Sequence, residues 1–325
     1  MTDTKLYDAT GRELVPDKML SEQLVMYPVL GAIGTVLVPP VEVPRQFGVF
    51  PSLGGVTRLE QLQRAPGTRS KVLGYSIGSM GYFCQPYGAS VELPGEDLAN
   101  SDVSYRLAEA AARYIVSALT VAYESHVATI LNATASVSSV FTVGSAWNAS
   151  TNAGKALQAI EGVLQVVEDT GGYRPNVVGF GKSAWRSFAA NSSVNAACGG
   201  WVTPGRVAEV FRVSTVAISE NIRDASGEGS TLSPNALFDD VVYVMRQPVN
   251  PNANFEARHS ATCYWLPSGE RGSVPGRFAA YRHPFEAKIH AQPIEVACWM
   301  HSIITDPKLG AAIKGTNSAQ AGGLV

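Results

Sequence analysis

The sequence has 325 residues, with 25 lysines and arginines against 27 aspartates and glutamates, and a formal net charge of −2. Its 46 % of apolar residues can bury a sizeable core, which excludes a disordered chain, and the balanced charge argues against a nucleic-acid binder that works through a basic surface. Only 16 % of the residues are charged, where about 25 % is usual in soluble domains. So low a charged fraction suggests that surface is hidden in contacts with other chains, which is a first indication of assembly.

Cysteine usage and hydropathy predict a soluble protein made in the cytoplasm. The four cysteines show no CxxC spacing, so we expect buried free thiols in a reducing compartment. They are Cys84, Cys198, Cys263 and Cys298. Residues 1–22 mix both charge signs and lack the apolar stretch of a secretory signal. The longest uncharged run, Leu24–Val41, is interrupted by prolines and glycines, whereas a membrane span needs about 20 mainly apolar residues.

Residues 1–54 are broken by prolines and predict an extended N-terminal arm. Proline cannot continue a helix or a central strand, so no long element is expected here. The prolines are Pro16, Pro28, Pro39, Pro40, Pro44 and Pro51. Apolar residues such as Val41, Phe47 and Phe50 are still frequent. A segment too broken to fold alone and too apolar to stay in water should lie along another surface.

Residues 55–92 predict a long two-stranded excursion. Val56–Arg64 forms the outgoing strand, Ala65–Thr68 the turn and Arg69–Tyr75 the returning strand. Pro followed by Gly at the centre of that turn is typical of a type II turn. An isolated hairpin is marginally stable in water, so something outside it must hold this one.

The best-defined helix is predicted over Ser101–Asn132. Apolar residues recur at three- and four-residue steps along one face, and neither Gly nor Pro interrupts the run. Asp102 suits the positive end of the helix dipole. At about 1.5 Å per residue the helix would be about 48 Å long, which is unusual in a globular domain.

From residue 152 onwards the pattern alternates between helices and strands. We predict helices over Asn152–Asp169, over Lys182–Ala190 and after the capping residue Thr203, and strands over Asn176–Gly179, Ser214–Ser219 and Val241–Met245. Between them Asn221–Pro234 is a polar loop. Several strands are expected over Ala261–Ile304, followed by a tail of small residues, Lys308–Val325.

One motif raises the possibility of catalysis. Gly74–Gly78 matches the G-x-S-x-G pattern of serine hydrolases, with Ser76 as the nucleophile. That motif needs a helix directly after the serine, and the glycines and proline that follow prevent one. His283, His290 and His301 show no metal-ligand spacing and are interpreted as structural. We therefore expect no enzyme and no catalytic, cofactor-binding or metal site, with a hydrolase using Ser76 as a remote alternative.

The order of the predicted parts resembles the major capsid protein of tailed bacteriophages, which has the Hong Kong 97-like fold. A broken arm, a polar hairpin, one very long helix, an α/β region and closing strands follow one another in that family. Local patterns along about Phe50 to Asp306 agree with it: the Ala65–Thr68 turn, Tyr82–Cys84, Val91–Asp97 before the long helix, Glu124 near its end, Trp147, the T-G-x-x-P-N run within Thr170–Val178, Trp185 in the next helix, and Phe238 before a strand.

The resemblance implies an α+β fold with five parts. They are the N-terminal arm (1–54), the extended loop, a β-hairpin (55–92), the peripheral domain with the spine helix (93–151), the axial domain (152–256), and the return strands of the peripheral domain with the C-terminal tail (257–325). The axial domain is expected to meet its symmetry mates at the capsomer centre, with Asn221–Pro234 as a candidate central loop.

The resemblance also implies a structural function. Many copies would form hexamers and pentamers that close into the icosahedral head shell of a virion, made in the bacterial host cytoplasm and enclosing double-stranded DNA. Scaffolding, portal and decoration proteins are the expected partners besides other copies, with DNA contacted non-specifically on the inner face and no membrane. The nearest alternative is an encapsulin-type compartment shell.

Five residues are candidate contacts between subunits. We expect the four basic residues of the hairpin, which are Arg58, Arg64, Arg69 and Lys71, to pair with acidic residues of a neighbour. The fifth is Glu124 on the spine helix. Some relatives crosslink a lysine of this loop to an asparagine of a neighbour, and Lys71 is the one lysine of this hairpin, but the plainer interpretation is an electrostatic contact.

Overall fold

The computed structural model describes residues 16–25, 31–53, 77–100, 104–133, 135–143, 147, 155–224, 231, 234–250, 256–267 and 277–316. Its helices are α1 (Lys18–Val25), α2 (Gly34–Leu37), α3 (Gly95–Asn100), α4 (Ser104–Asn132), α5 (Lys155–Gly171), α6 (Lys182–Ala189), α7 (Ser192–Ala197) and α8 (Pro204–Phe211). Its strands are β1 (Pro40–Glu42), β2 (Phe47–Leu53), β3 (Ile77–Phe83), β4 (Gln85–Pro94), β5 (Ser139–Thr142), β6 (Val177–Phe180), β7 (Thr215–Ile218), β8 (Ile222–Asp224), β9 (Pro234–Ala236), β10 (Val241–Met245), β11 (Ser260–Trp265), β12 (Ala279–Arg282), β13 (Ala291–Ile304) and β14 (Gly310–Lys314).

The first sheet is built around β13, the longest strand of the described part. Its order is β1-β11-β13-β12, and β4 also pairs with β13. β13 has 14 residues and is antiparallel to β4, β11 and β12. One face of α4 packs on β4 and β13, and α1 packs on α4. Leu20, Leu24, Ile115, Leu119 and Ile294 belong to the apolar cluster between them.

The second sheet has the order β5-β14-β10-β6-β7. Its middle strands β6 and β10 are buried at every position. Helix α5 packs against β10 and β14 on one side of this sheet. The core that they share is rich in aromatic residues: Trp147, Phe180, Phe188 and Phe211 are buried in one cluster, and the rings of Trp147 and Phe188 meet edge to face at 5.8 Å.

A third apolar cluster joins the two sheets. Tyr243 and Met245 contribute to it from the second sheet, Met300 from the first, Val127 from α4 and Leu37 from α2. The two sheets are therefore packed against each other through this cluster.

The long helix predicted from the sequence is confirmed from Ser104 to Asn132, while residues 101–103 lie outside the described part. By length and composition alone, Arg106–Asn132 could cross a membrane. Half of its most apolar window is buried inside the protein, as expected of a helix that packs on a sheet.

Residues 31–43 of the segment expected to lie along another surface pack into the core of their own subunit. Leu37, Val38 and Val41 are completely buried within the subunit, and β1 pairs in parallel with β11. The prolines do keep the elements short, but the apolar residues between them fill the space beside the two sheets. Short elements were predicted here; their incorporation into the core was not.

The predicted hairpin strands, Val56–Arg64 and Arg69–Tyr75, lie outside the described residues, and the structure shows a ribbon on either side of them. β2 and β3 form an antiparallel ribbon, in which Phe47 faces Phe83 and Leu53 faces Ile77. In each pair the two residues are equally far along the chain from residue 65, which lies in the predicted turn. Residues 54–76 themselves lie outside the described part. The chain leaves the ribbon at Cys84, because β4 already pairs with β13 in the first sheet. The excursion thus begins near residue 47 rather than 55 and ends near 83 rather than 92.

The predicted tail of small residues contains a central strand. β14 lies between β10 and β5 in the second sheet. Ala311 and Ala312 are completely buried, and small side chains suit a strand that is covered on both faces. The last part of the chain, assigned to the peripheral domain and a tail, therefore completes the second sheet.

Candidate assembly surfaces

The ribbon of β2 and β3 has two different faces. Phe50 and Tyr82 point towards the subunit and are buried. The Arg258 guanidinium lies 5.1 Å from the centre of the Phe50 ring. Since side chains alternate along a strand, the opposite face carries Phe47 and Phe83 as a directly facing pair, 67 % and 51 % exposed.

Val49 continues the exposed face of the ribbon and is 64 % exposed. Three large apolar side chains therefore stand in water side by side on a two-stranded ribbon. Contiguous exposed apolar surface of this kind marks interaction sites in soluble proteins. This face was missed in the sequence, although the alternation of Phe47, Val49 and Pro51 with Gly48 and Phe50 gave a signal for it.

Hydrogen bonds hold the root of the ribbon to the first sheet. The Cys84 N–H donates to the Gln46 carbonyl at 2.8 Å, and the Gln46 side-chain amide donates back to the Cys84 carbonyl at 3.2 Å. The Phe83 N–H donates to Nδ1 of His301 on β13 at 3.3 Å. The direction in which the ribbon leaves the subunit is thus fixed by the sheet beneath it.

The four basic candidates of the hairpin, which are Arg58, Arg64, Arg69 and Lys71, lie outside the described residues, and their proposed contacts stay predictions. Ser76 lies outside them as well. The residues that follow Ser76 form strand β3. A nucleophile elbow requires a helix at this point, so the hydrolase interpretation is not favoured.

Glu124 does not lie on the surface, contrary to its assignment as a contact between subunits. The residue is completely buried, and its Oε1 accepts the Gly34 N–H at the start of α2. Burial raises the pKa of this carboxyl to about 7, although N–H donors and Arg277 act in the opposite direction. The sequence did contain the signal, because Glu124 is four residues after Thr120 and three before Val127, which share the buried face of α4.

Two of the histidines considered for a metal site have a protein partner for the imidazole. His283 Nε2 lies 2.9 Å from Glu295 Oε2, and His301 Nδ1 accepts the Phe83 N–H at 3.3 Å. His290 is held through its backbone carbonyl, which accepts the Gly95 N–H at 2.8 Å. Across the residues that the structure describes, no group of three or more His, Cys, Asp and Glu could hold a metal ion.

A second exposed apolar side chain lies between α7 and α8. Trp201 is 78 % exposed and follows Gly199 and Gly200, which both adopt positive φ. Thr203 caps α8 through the Arg206 N–H, as predicted. The two glycines turn the chain sharply, so that the indole is presented in water ahead of the helix.

Comparison with known proteins gives similarity in structure only. No protein-family model matches the chain, and no curated protein does. A phage-related protein from Bordetella bronchiseptica has a TM-score of 0.72 at 16 % identity, over 94 % of this chain and 98 % of that one. A virus-like particle protein from Pyrococcus furiosus has a TM-score of 0.54 at 10 % identity, over 92 % and 97 % of the two chains. The capsid of cyanophage P-SCSP1u has a TM-score of 0.51 at 13 % identity, over 87 % of each.

These alignments cover nearly the whole chain, so the similarity concerns the complete arrangement of the two sheets, the long helix and the ribbon. Identities of this size establish the fold alone. The α+β architecture expected from the sequence is confirmed, and the chain has the fold that is shared by these phage and virus-like-particle proteins.

Proposed function

We propose that this chain is the major capsid protein of a tailed bacteriophage, whose copies form hexamers and pentamers that close into an icosahedral shell. The observation that carries the proposal is the match in fold along 94 % of the chain to a phage-related protein. A second observation supports it: the exposed apolar face of the ribbon, formed by Phe47, Val49 and Phe83, needs a covering surface.

Neighbouring copies supply such a surface in a shell. A two-stranded ribbon is weak by itself, and packing on an adjacent subunit would couple its ordering to assembly. Each contact can be modest, since a closed shell engages many of them at once. The low charged fraction, 16 %, also limits repulsion between crowded copies.

The finer parts of the proposal concern contents and partners. The phage-related protein has a TM-score of 0.72 and the virus-like particle protein 0.54, which favours a phage head over an encapsulin-type compartment. We propose double-stranded DNA as the content, and scaffolding, portal and decoration proteins as further partners. Protection of long DNA from nuclease inside purified particles would distinguish a head from a compartment filled with protein cargo.

Assembly should depend on the ribbon face. Replacing Phe47 and Phe83 together by Ser removes two exposed apolar side chains, so we expect the yield of closed particles on a density gradient to fall at least tenfold. The matched control replaces both by Leu, which keeps the face apolar and should retain most of the particles. Particle yield that is equal in the Ser and Leu variants, with both folded by circular dichroism, would count against a role of this face in assembly.

A further inference from the structure

The segment 33–38 is held by side chains from several elements. Tyr123 on α4 places its hydroxyl 2.9 Å from the Val38 carbonyl and 3.0 Å from Thr262 Oγ1 on β11. The Gln247 amide donates to the Leu37 carbonyl at 2.6 Å. This segment lies in the apolar cluster that joins the two sheets, so its attachment affects how the sheets are held together.

Two buried polar atoms without a hydrogen-bond partner, one on Glu124 and one on Arg277, lie near Tyr123, which holds this segment. Glu124 Oε1 accepts the Gly34 N–H, whereas its Oε2 is buried without a hydrogen-bond partner. Arg277 Nη1 is also buried without one. The Arg277 guanidinium instead stacks 4.8 Å from the centre of the Tyr123 ring and 4.9 Å from that of Phe278.

We infer that Glu124 and Arg277 form a proton-linked joint between the spine helix and segment 33–38. While the carboxyl carries its proton, no net negative charge is buried, and Arg277 stays on its aromatic neighbours. When the proton leaves, the new carboxylate is a buried charge, and among the described residues Arg277 is the cation that acts on it. The guanidinium must then turn from the rings towards Oε2, or the segment must open to admit water.

The groups around the carboxyl support this assignment. Arg277, from the residues before β12, and Tyr123, on α4 itself, are the charged and titratable side chains that act on Glu124 among the described residues, and Cys298 on β13 faces Arg277. Segment 33–38 contributes backbone N–H groups. Desolvation outweighs the N–H donors and Arg277, which raises the pKa of Glu124 to about 7 from an ordinary value of 4.5.

The direction of the pH effect follows from that shift. A carboxyl whose pKa is higher in the folded state stabilises the fold fully below its ordinary pKa, and this contribution is lost as the pH rises through about 7. The joint is therefore tight in mild acid and strained above neutral pH. The contact at Gly34 is close, because an added Cβ there would lie 2.5 Å from Oε1 of Glu124.

Infrared spectroscopy of the full chain tests this inference in whatever assembly state it is purified. We expect a protonated-carboxyl band in the wild type that disappears with a midpoint near pH 7, more than 2 pH units above an ordinary glutamate. Glu124→Gln should abolish this band, and the exposed control Glu161→Gln should retain it. Loss of every such band by pH 6 in the wild type would overturn the proposal.

Arg277→Met tests the partner separately. Removal of the cation should move the midpoint of the Glu124 band to higher pH, since Arg277 lowers this pKa. An unchanged midpoint would show that Arg277 is not the counter-charge. The readout follows one carboxyl and not particle formation, so its outcome is independent of the proposed function.

Discussion

At the scale of single residues, His259 shows how burial decides protonation in this fold. The ring is completely buried, and its Nε2 lies 2.7 Å from the Ser136 carbonyl. A carbonyl only accepts, so Nε2 carries the hydrogen and Nδ1 has no partner. Desolvation lowers the pKa of His259 to about 4, and the hydrogen bond to Ser136, which raises this pKa, has a smaller effect. The packing around it is tight, because a Cβ on Gly310 would collide with the ring.

The pH dependence that follows is opposite in sign to that of Glu124. A histidine with a lowered folded pKa contributes stability above about pH 6.5, and this stability is lost as the pH falls towards 4. We expect the wild type to lose about 3 kcal/mol relative to His259→Gln over that window. Denaturant unfolding of both proteins at pH 7.5 and pH 4.5 measures the difference. Two stability curves that stay parallel would refute the assignment of His259 as a buried neutral group.

At the scale of elements, the sequence predicted correctly those helices and strands whose positions depend mainly on their own residues. The sequence predicted the long helix α4, the Thr203-capped helix α8 and strand β10, because periodicity, a cap and an apolar run specify them within a few residues. α2 and β14 were missed for the opposite reason. The run Gly310–Ile313 has no periodicity of its own, and it is a strand because β10 and β5 lie on either side of it.

The surroundings of the residues that contact other parts of the protein could not be predicted from the sequence either. The position of Glu124 along the helix was predicted correctly, but its environment depends on Gly34, 90 residues away in the chain. The apolar character of Phe47, Val49 and Phe83 could be read from the sequence. Which face of the ribbon remains exposed could not, since it depends on the sheet beneath.

Strand β14 gives a prediction at this scale. Ala312→Leu adds three carbons to a position that is completely buried between two strands, so we expect the protein to lose about 1–3 kcal/mol of stability through overpacking. The control Ala89→Leu makes the same change at an exposed position of β4 and should alter the unfolding free energy by less than about 0.5 kcal/mol. Equal effects of the two changes in denaturant unfolding would show that β14 is not a core strand.

At the scale of the whole molecule, the subunit is closed by pairings between distant parts of the chain. β1 pairs with β11 and β4 with β13 in the first sheet, and β5 pairs with β14 in the second. Strands β11, β13 and β14 from the C-terminal third thus complete both sheets, and each pairs with a strand from much earlier in the chain. The ribbon turns a contiguous apolar face to water, formed by Phe47, Val49 and Phe83. A folded subunit that projects such an apolar face is suited to repeated contact with copies of itself.

Electron microscopy of the purified chain, with light scattering on the same sample, tests the proposed shell most directly. We expect closed particles, or rings of five and six subunits, in which the ribbon of one copy lies against the next. A protein that remains monomeric even after co-expression with a candidate scaffolding protein would contradict a capsid function.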